Sequence, residues 1–300
     1  MKKFLSLCAI ASIAFMASCS QNGGDEPTPQ PESEKLPINI STQLTATRAT
    51  DSAFEPGDEV GIYVVNQVKG VSGSLAISGN YVDNMCFTYG DNKWTPDTEI
   101  YWADKTTKAD FYCYYPYAKP TSVAAHTFVT KTNQSTLANY KASEFIWGKA
   151  IGVTPSADVV PITMNHSLSN AIVVVAPGTG FTAETLATAD IEVKISNVKP
   201  NASINLANGT VTASGTSSSI MMYKESNLNY RALIVPQTVA ESALVVITID
   251  GITYTLTKGF TFKPNTRHTF TVTVNKLNSG INIGIGDWTI DETDHGGSAE

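Results

Sequence analysis

The stretch LPINISTQLTATRA, residues 36–49, sets the reading of the whole chain. Leu36, Ile38, Ile40, Leu44 and Ala46 share one parity, while Asn39, Ser41, Gln43 and Thr45 share the other. A period of two marks a half-buried β-strand, and Pro37 is tolerable only at its beginning. The strand, residues 36–47, runs into Arg48, the only arginine before position 231. An apolar strand thus sits just upstream of one isolated protease-type site. Taken alone, Arg48 reads equally well as an exposed loop residue, and the strand as a permanent part of a sheet.

Outward toward the N-terminus, Lys2 and Lys3 precede an apolar run from Phe4 to Met16. That run is too short for a membrane-spanning helix, which needs about 20 residues, but it suits a secretory signal peptide over residues 1–18. It ends in Met16-Ala17-Ser18-Cys19, which resembles a bacterial lipobox with methionine in place of the commoner leucine. That resemblance makes Cys19 the expected lipidation site, and two or more acyl chains there would give stable anchoring. Ser20 is not the aspartate that retains lipoproteins in the inner membrane, so the outer membrane is the expected address. Residues 19–35, with Pro27, Pro29 and Pro31 and no large apolar side chain, read as a solvated tether.

The formal charge is -7; the 20 basic residues fall to 18 when Lys2 and Lys3 leave, against 27 acidic, giving -9. An acidic chain without a basic stripe is a poor partner for nucleic acid. Cys86 and Cys113 remain after the leader is lost, either as a disulfide in an oxidising envelope or as two buried thiols.

Downstream, Pro56-Gly57-Asp58 makes a turn and Val60, Ile62 and Val64 open a strand. A hairpin turns at Gly90-Asp91-Asn92-Lys93 before Trp94. Ile100-Tyr101-Trp102 and ADFYCYYPY, residues 109–117, are aromatic strands that read as core or, more sharply, as a glycan-stacking platform. Lys141 to Ile146 is expected as a short helix, and ITMNHSLSNAIVVV, residues 162–175, as the start of a second cycle of strands. Asp250-Gly251 is a strong two-residue hairpin signal. Near the end Ile281, Ile283 and Ile285 alternate, and after Gly286-Asp287 the parity shifts to Trp288 and Ile290, as a bulge would produce. Residues 291–300 are polar and expected to be disordered. No long segment of period 3.6 occurs, so the class is all-β with few short helices. The expected domains are residues 36–160 and 161–290.

The chemistry of an enzyme is not legible. There is no nucleophile elbow, P-loop, dinucleotide fingerprint, zincin helix or paired-cysteine zinc pattern. Ser196-Asn197-Val198-Lys199 matches S-x-x-K by chance, without its companion motifs, and Asp97 with Glu99 reads as a turn before a strand rather than a glycosidase pair. His166 lacks a second ligand at metal spacing and reads as structural. No catalytic residue, metal or cofactor is expected.

In combination, the lipobox and tether, TRATDSAFEPGDEVGIYV, WADKTTKADFYCYYPY, MNHSLSNAIVVV, ALIVPQTV and FTVTVNKLNSGINIGIGDW resemble the fimbrillins of Bacteroidetes, the subunits of type V pili, and the Mfa-like ones in particular. The resemblance implies two transthyretin-like Greek-key β-sandwich domains in tandem, export as a lipoprotein, and cleavage after an arginine by a trypsin-like surface protease. The matching bond here is Arg48-Ala49. Cleavage releases the first strand with Leu36, Ile38, Ile40 and Leu44, and a strand from the next subunit fills the groove. The donor is expected at residues 280–290, with Ile281, Ile283, Ile285 and Trp288 inserting. The implied partners are other pilin subunits, the arginine-specific protease, the outer membrane through the lipid, and an adhesive ligand on a host or bacterial surface. The rival reading is a lipoprotein of the outer membrane that binds glycan or host protein and never polymerises.

Overall fold

The computed structural model describes residues 35–44 and 53–276. The expected lipidation site Cys19, the tether, the bond Arg48-Ala49, the donor residues Ile281, Ile283, Ile285 and Trp288, and the polar tail lie outside the described residues.

In chain order the elements are β1 (Ile40–Leu44), β2 (Glu59–Asn66), β3 (Val82–Gly90), β4 (Lys93–Pro96), β5 (Ala109–Tyr115), β6 (His126–Val129), α1 (Leu137–Lys141), β7 (Ile146–Val153), β8 (Val160–His166) and β9 (Ser169–Pro177). They continue with α2 (Ala183–Thr188), β10 (Ile191–Val198), β11 (Asn201–Ile204), β12 (Val211–Ser214), β13 (Ser218–Met221), β14 (Tyr223–Ser226), β15 (Asn229–Ile234), β16 (Gln237–Ile249), β17 (Ile252–Phe262) and β18 (Thr266–Val274). The protein is all-β, with two short helices among the described residues.

A seven-stranded sheet in the order β1-β8-β7-β5-β2-β3-β4 carries the first half. Its ladders are antiparallel except the first, where β1 runs parallel to β8. Its two central strands, β5 and β2, are buried along nearly their whole length because both of their faces are covered. Ile62, Val64, Phe111 and Cys113 enter one core; Tyr63, Val65, Tyr112 and Tyr114 enter another. The second core is shared between the halves: β6 pairs with β11, and β11 with β12, in a small sheet that draws strands from both. Trp147 Nε1 donates to Leu206 O at 2.7 Å, and Gly209, at φ +75°, has no room for a Cβ, which would lie 2.5 Å from the Trp147 ring. The remaining strands form two four-stranded sheets, β13-β10-β16-β17 and β14-β15-β9-β18, around a third core that includes Val173, Ile195, Ile247 and Phe270.

Turn chemistry sets the registers. Asp91 and Asn92 have φ of 50° and 58°, and Asp250 and Gly251 have 47° and 83°. Positive φ at both central residues is what a two-residue hairpin turn demands.

Two sequence expectations are displaced. The helix expected at Lys141 to Ile146 lies instead at Leu137–Lys141, started by Thr136, whose side chain accepts from Asn139 N, while Ile146 begins β7. Phe145 is wholly buried in the core shared between the halves, and Ile146, almost wholly buried, is claimed by the sheet. The segment 162–175 is two strands in different sheets rather than the start of one cycle. β8, beginning at Val160, belongs to the first sheet, and the chain crosses to the second system at Ser167 and Leu168, past the 160/161 boundary expected from sequence.

Candidate functional site: the seat of the first strand

Residues 36–44 supply β1, one edge of the seven-stranded sheet, and reach across to residues 100–102 beyond its other edge strand β4. On one side β1 runs beside β8, with Ile40 opposite Val160 and Leu44 opposite Met164, and Val160 N donates to Asn39 O at 2.8 Å. On the other side, just ahead of β1, Ile38 N donates to Ile100 O at 2.8 Å, and Trp102 N donates to Leu36 O at 2.9 Å. This segment therefore closes the sheet over its core.

The expected parity holds. Ile38 and Ile40 are 3% and 4% exposed and pack in one core with Trp94, Ile100, Trp102, Val160 and Ile162, while Leu36 and Leu44 are half-buried at its border. At about 1.5 to 3 kcal/mol for each fully buried side chain, Ile38 and Ile40 contribute roughly 3 to 6 kcal/mol before Leu36 and Leu44 are added. That is a large share of the roughly 5 to 15 kcal/mol that keeps a domain folded. Thr42 also turns to the seat, where its Oγ1 accepts from Trp94 Nε1 at 2.9 Å. Trp94, Ile100 and Trp102 were legible as strand residues but not as the far wall of this seat. No local signal announces a partner 52 residues away.

At its C-terminal end the strand reaches the waist between the halves. Leu44 and Ala53, which flank residues 45–52, line one cleft with Tyr115, Tyr140, Ile146 and Leu233. Polar groups there are paired: Lys141 Nζ lies 2.5 Å from Glu55 Oε1, and Glu144 Oε2 lies 3.0 Å from Nδ1 of the neighbouring His166. Tyr115 donates to Asp58 Oδ1 at 3.1 Å, and burial, with Asp58 beside it, raises its phenol well above the ordinary range.

The other two arginines of the chain lie inside ladders. Arg231, on β15, is 5% exposed; its guanidinium lies 4.4 Å from the Tyr140 ring centre, and Nη1 lies 3.4 Å from Glu225 Oε1. Arg267 is half-buried on β18.

The aromatic run on β5 is core. Phe111, Tyr112 and Tyr114 are between 0% and 7% exposed, so they offer no platform for a sugar. Cys86 and Cys113 are free and buried. They sit on β3 and β5, either side of β2, opposite Gly61 and Ile62 respectively. Their thiols therefore point to opposite faces across two strand spacings, about 10 Å, which a disulfide cannot bridge. Burial pushes the Cys86 thiol up to about 11 and the Cys113 thiol higher still. Ser196 Oγ pairs with Ser219 Oγ, Lys199 N donates to Gln237 Oε1, and Glu99 Oε2 accepts from Tyr101. None of these groups converges on another.

Comparisons with known proteins agree with this architecture. A candidate fimbrium subunit of Bacteroides uniformis, Fim1C, is 25% identical over 96% of both chains. A solved candidate cell adhesion protein from the same species superposes with a TM-score of 0.65 at 20% identity, covering 88% of this chain and 99% of its own. Another from Bacteroides ovatus gives 0.64 at 16%, covering 85% and 97%. At those identities the two structures speak to the fold alone. The fimbrillin-like family matches residues 47–288, most of the chain. The chain therefore belongs to the fimbrillin-like family.

Proposed function

We propose that this chain is the precursor of a pilus subunit, exported as a lipoprotein through Cys19, cut at Arg48-Ala49, and assembled on the cell surface by exchange of the first strand for one from a neighbour. The observation that carries the reading is the placement of residues 36–44. They form an edge strand whose removal uncovers an apolar seat between β8 and residues 100–102 while leaving every other ladder paired. Family membership supports it, as does a family match that begins at residue 47 and leaves β1 outside.

The physical logic is a switch of partners. An emptied seat exposes Ile162, Met164, Trp94 and Trp102, and an alternating apolar strand added along β8 restores the burial and the ladder. Ile281, Ile283, Ile285 and Trp288 supply such a strand. Donation is head to tail, so the contact is heterologous and the product an open filament. Arg231 and Arg267, held in β15 and β18, are poor substrates for the same protease, which leaves Arg48 as the susceptible site. Adhesion to a host or bacterial surface is a further role open to such a filament.

An arginine-specific protease added to delipidated protein tests this. The expected result is loss of residues up to Arg48, an intact remainder, and a ladder on an unboiled gel, with Arg48→Ala blocking all three. Complete digestion, or a clipped chain that stays monomeric at high concentration, favours the non-polymerising rival.

A further inference from the structure

Among the described residues nine large apolar side chains are exposed, and six of them gather at one pole. Val68 and Val71 stand at the tip of a tight turn, 72% and 68% exposed, each donating its N–H to the other's carbonyl. Their neighbour Gln67 donates to Asp110 Oδ1, which also accepts from Gly152 N, next to exposed Ile151. Val159 is exposed just ahead of β8, and Ile77 and Tyr81 lie on the same β2–β3 connection as the valines. Tyr81 donates to Tyr101 O, and Tyr101 bridges Pro37. This is the pole where residues 36–38 enter the seat, since Asn66, Ala109 and Val153 are cross-strand neighbours at the same end of the sheet. The three other exposed apolar side chains lie elsewhere: Val129 on β6 and Leu137 on α1, both elements of the shared region, and Ile252 beside the β16–β17 turn.

The chain leaves the described fold at the opposite pole. β9 and β18 both start by the waist, where Asn265 N donates to Leu168 O, and run side by side away from it until Val274 lies opposite Pro177. Only residues 277–280 separate Lys276 from Ile281. Five steps of extended chain span at most about 17 Å. A donor strand that replaces β1 in its own direction, parallel to β8, therefore draws the exit pole of its own subunit against the entrance pole of the acceptor.

We infer that the apolar pole formed by Val68, Val71, Ile77, Tyr81, Ile151 and Val159 is the docking surface for the chain-exit pole of a second copy, a body-to-body contact added to the exchanged strand. The inference rests on the donor-strand reading above. The contact explains why apolar residues collect around the mouth of the seat rather than over the surface at large. Large exposed apolar patches on soluble proteins mark interaction sites.

The test compares Val68→Asp/Val71→Asp, with the milder Val68→Ser/Val71→Ser beside it, against Val129→Asp at the waist. Each variant is cleaved at Arg48, and two things are followed: capture of a synthetic peptide of residues 277–300 and the rate of filament elongation. The expected result is unchanged peptide capture by all three, with elongation slowed at least fivefold by the aspartate pair, less by the serine pair, and unaffected by Val129→Asp. Elongation at the wild-type rate by both pole variants, or slowing by the waist variant alone, overturns the inference and leaves strand exchange standing. If cleaved wild-type protein neither captures the peptide nor elongates, the donor-strand reading fails and the inference falls with it.

Discussion

The parallel pairs β1–β8 and β18–β9 are built alike and held very differently. Each is an outer strand laid beside a strand of its own half. The β1 ladder keeps register over five residues, from Ile40 to Leu44, and the β18 ladder over nine, from Thr266 to Val274. Within those spans β1 fully buries Ile40 alone, its companion Ile38 lying just ahead, whereas β18 buries His268, Phe270, Val272 and Val274 in strict alternation. A short ladder with few buried anchors suits a strand that is to leave. A long one with four suits a strand that must stay if, as proposed, the chain beyond it is given to a neighbour.

Substitutions can break this contrast. Phe270→Ala, which empties a fully buried ring from the third core, should cost about 3 to 5 kcal/mol. The loss should be equal in the precursor and in the cleaved, polymerised subunit, as read by denaturant unfolding. Ile40→Ala should cost about 2 to 4 kcal/mol, but only in the precursor, because the cleaved chain no longer holds that residue. An equal loss in both forms would mean that β1 stays bound. Thr42→Val leaves the Trp94 N–H without its acceptor and should cost about 1 to 2 kcal/mol, again in the precursor alone.

A third region, controlled by neither strand, carries a weaker dependence on pH. His126, on β6 in the small shared sheet, packs beside the stacked rings of Tyr114 and Phe145, and burial holds its imidazole below the ordinary value of 6.5. Its folded pKa is lowered, so unfolding takes up a proton. Stability is complete above about pH 6.5 and declines as the pH falls below it. His126→Phe should flatten that decline between pH 5 and 7 in precursor and polymer alike.

Much of the fold was legible because its signals are local. Alternation over residues 36–44 and paired left-handed turn residues at Asp91-Asn92 and Asp250-Gly251 need no distant information. The failures involve choices made by packing. Phe145 and Ile146 could extend a helix by propensity, yet Phe145 is buried in the shared core and Ile146 in the first one, and β8 read as part of the second half until its pairing with β1 and β7 placed it in the first. The candidate site divides the same way. Ile38 and Ile40 announce themselves by parity, whereas the facing wall of Trp94, Ile100 and Trp102 arises from contacts that no nearby residue encodes.

Hydrogen exchange along β8, residues 160–166, measures the state of the seat directly. Strand exchange predicts slow exchange in the precursor, fast exchange once the chain is cut after Arg48 and the first strand is washed away, and slow exchange again when subunits polymerise or the peptide of residues 277–300 is added. Protection of β8 that stays the same through all three states would contradict it.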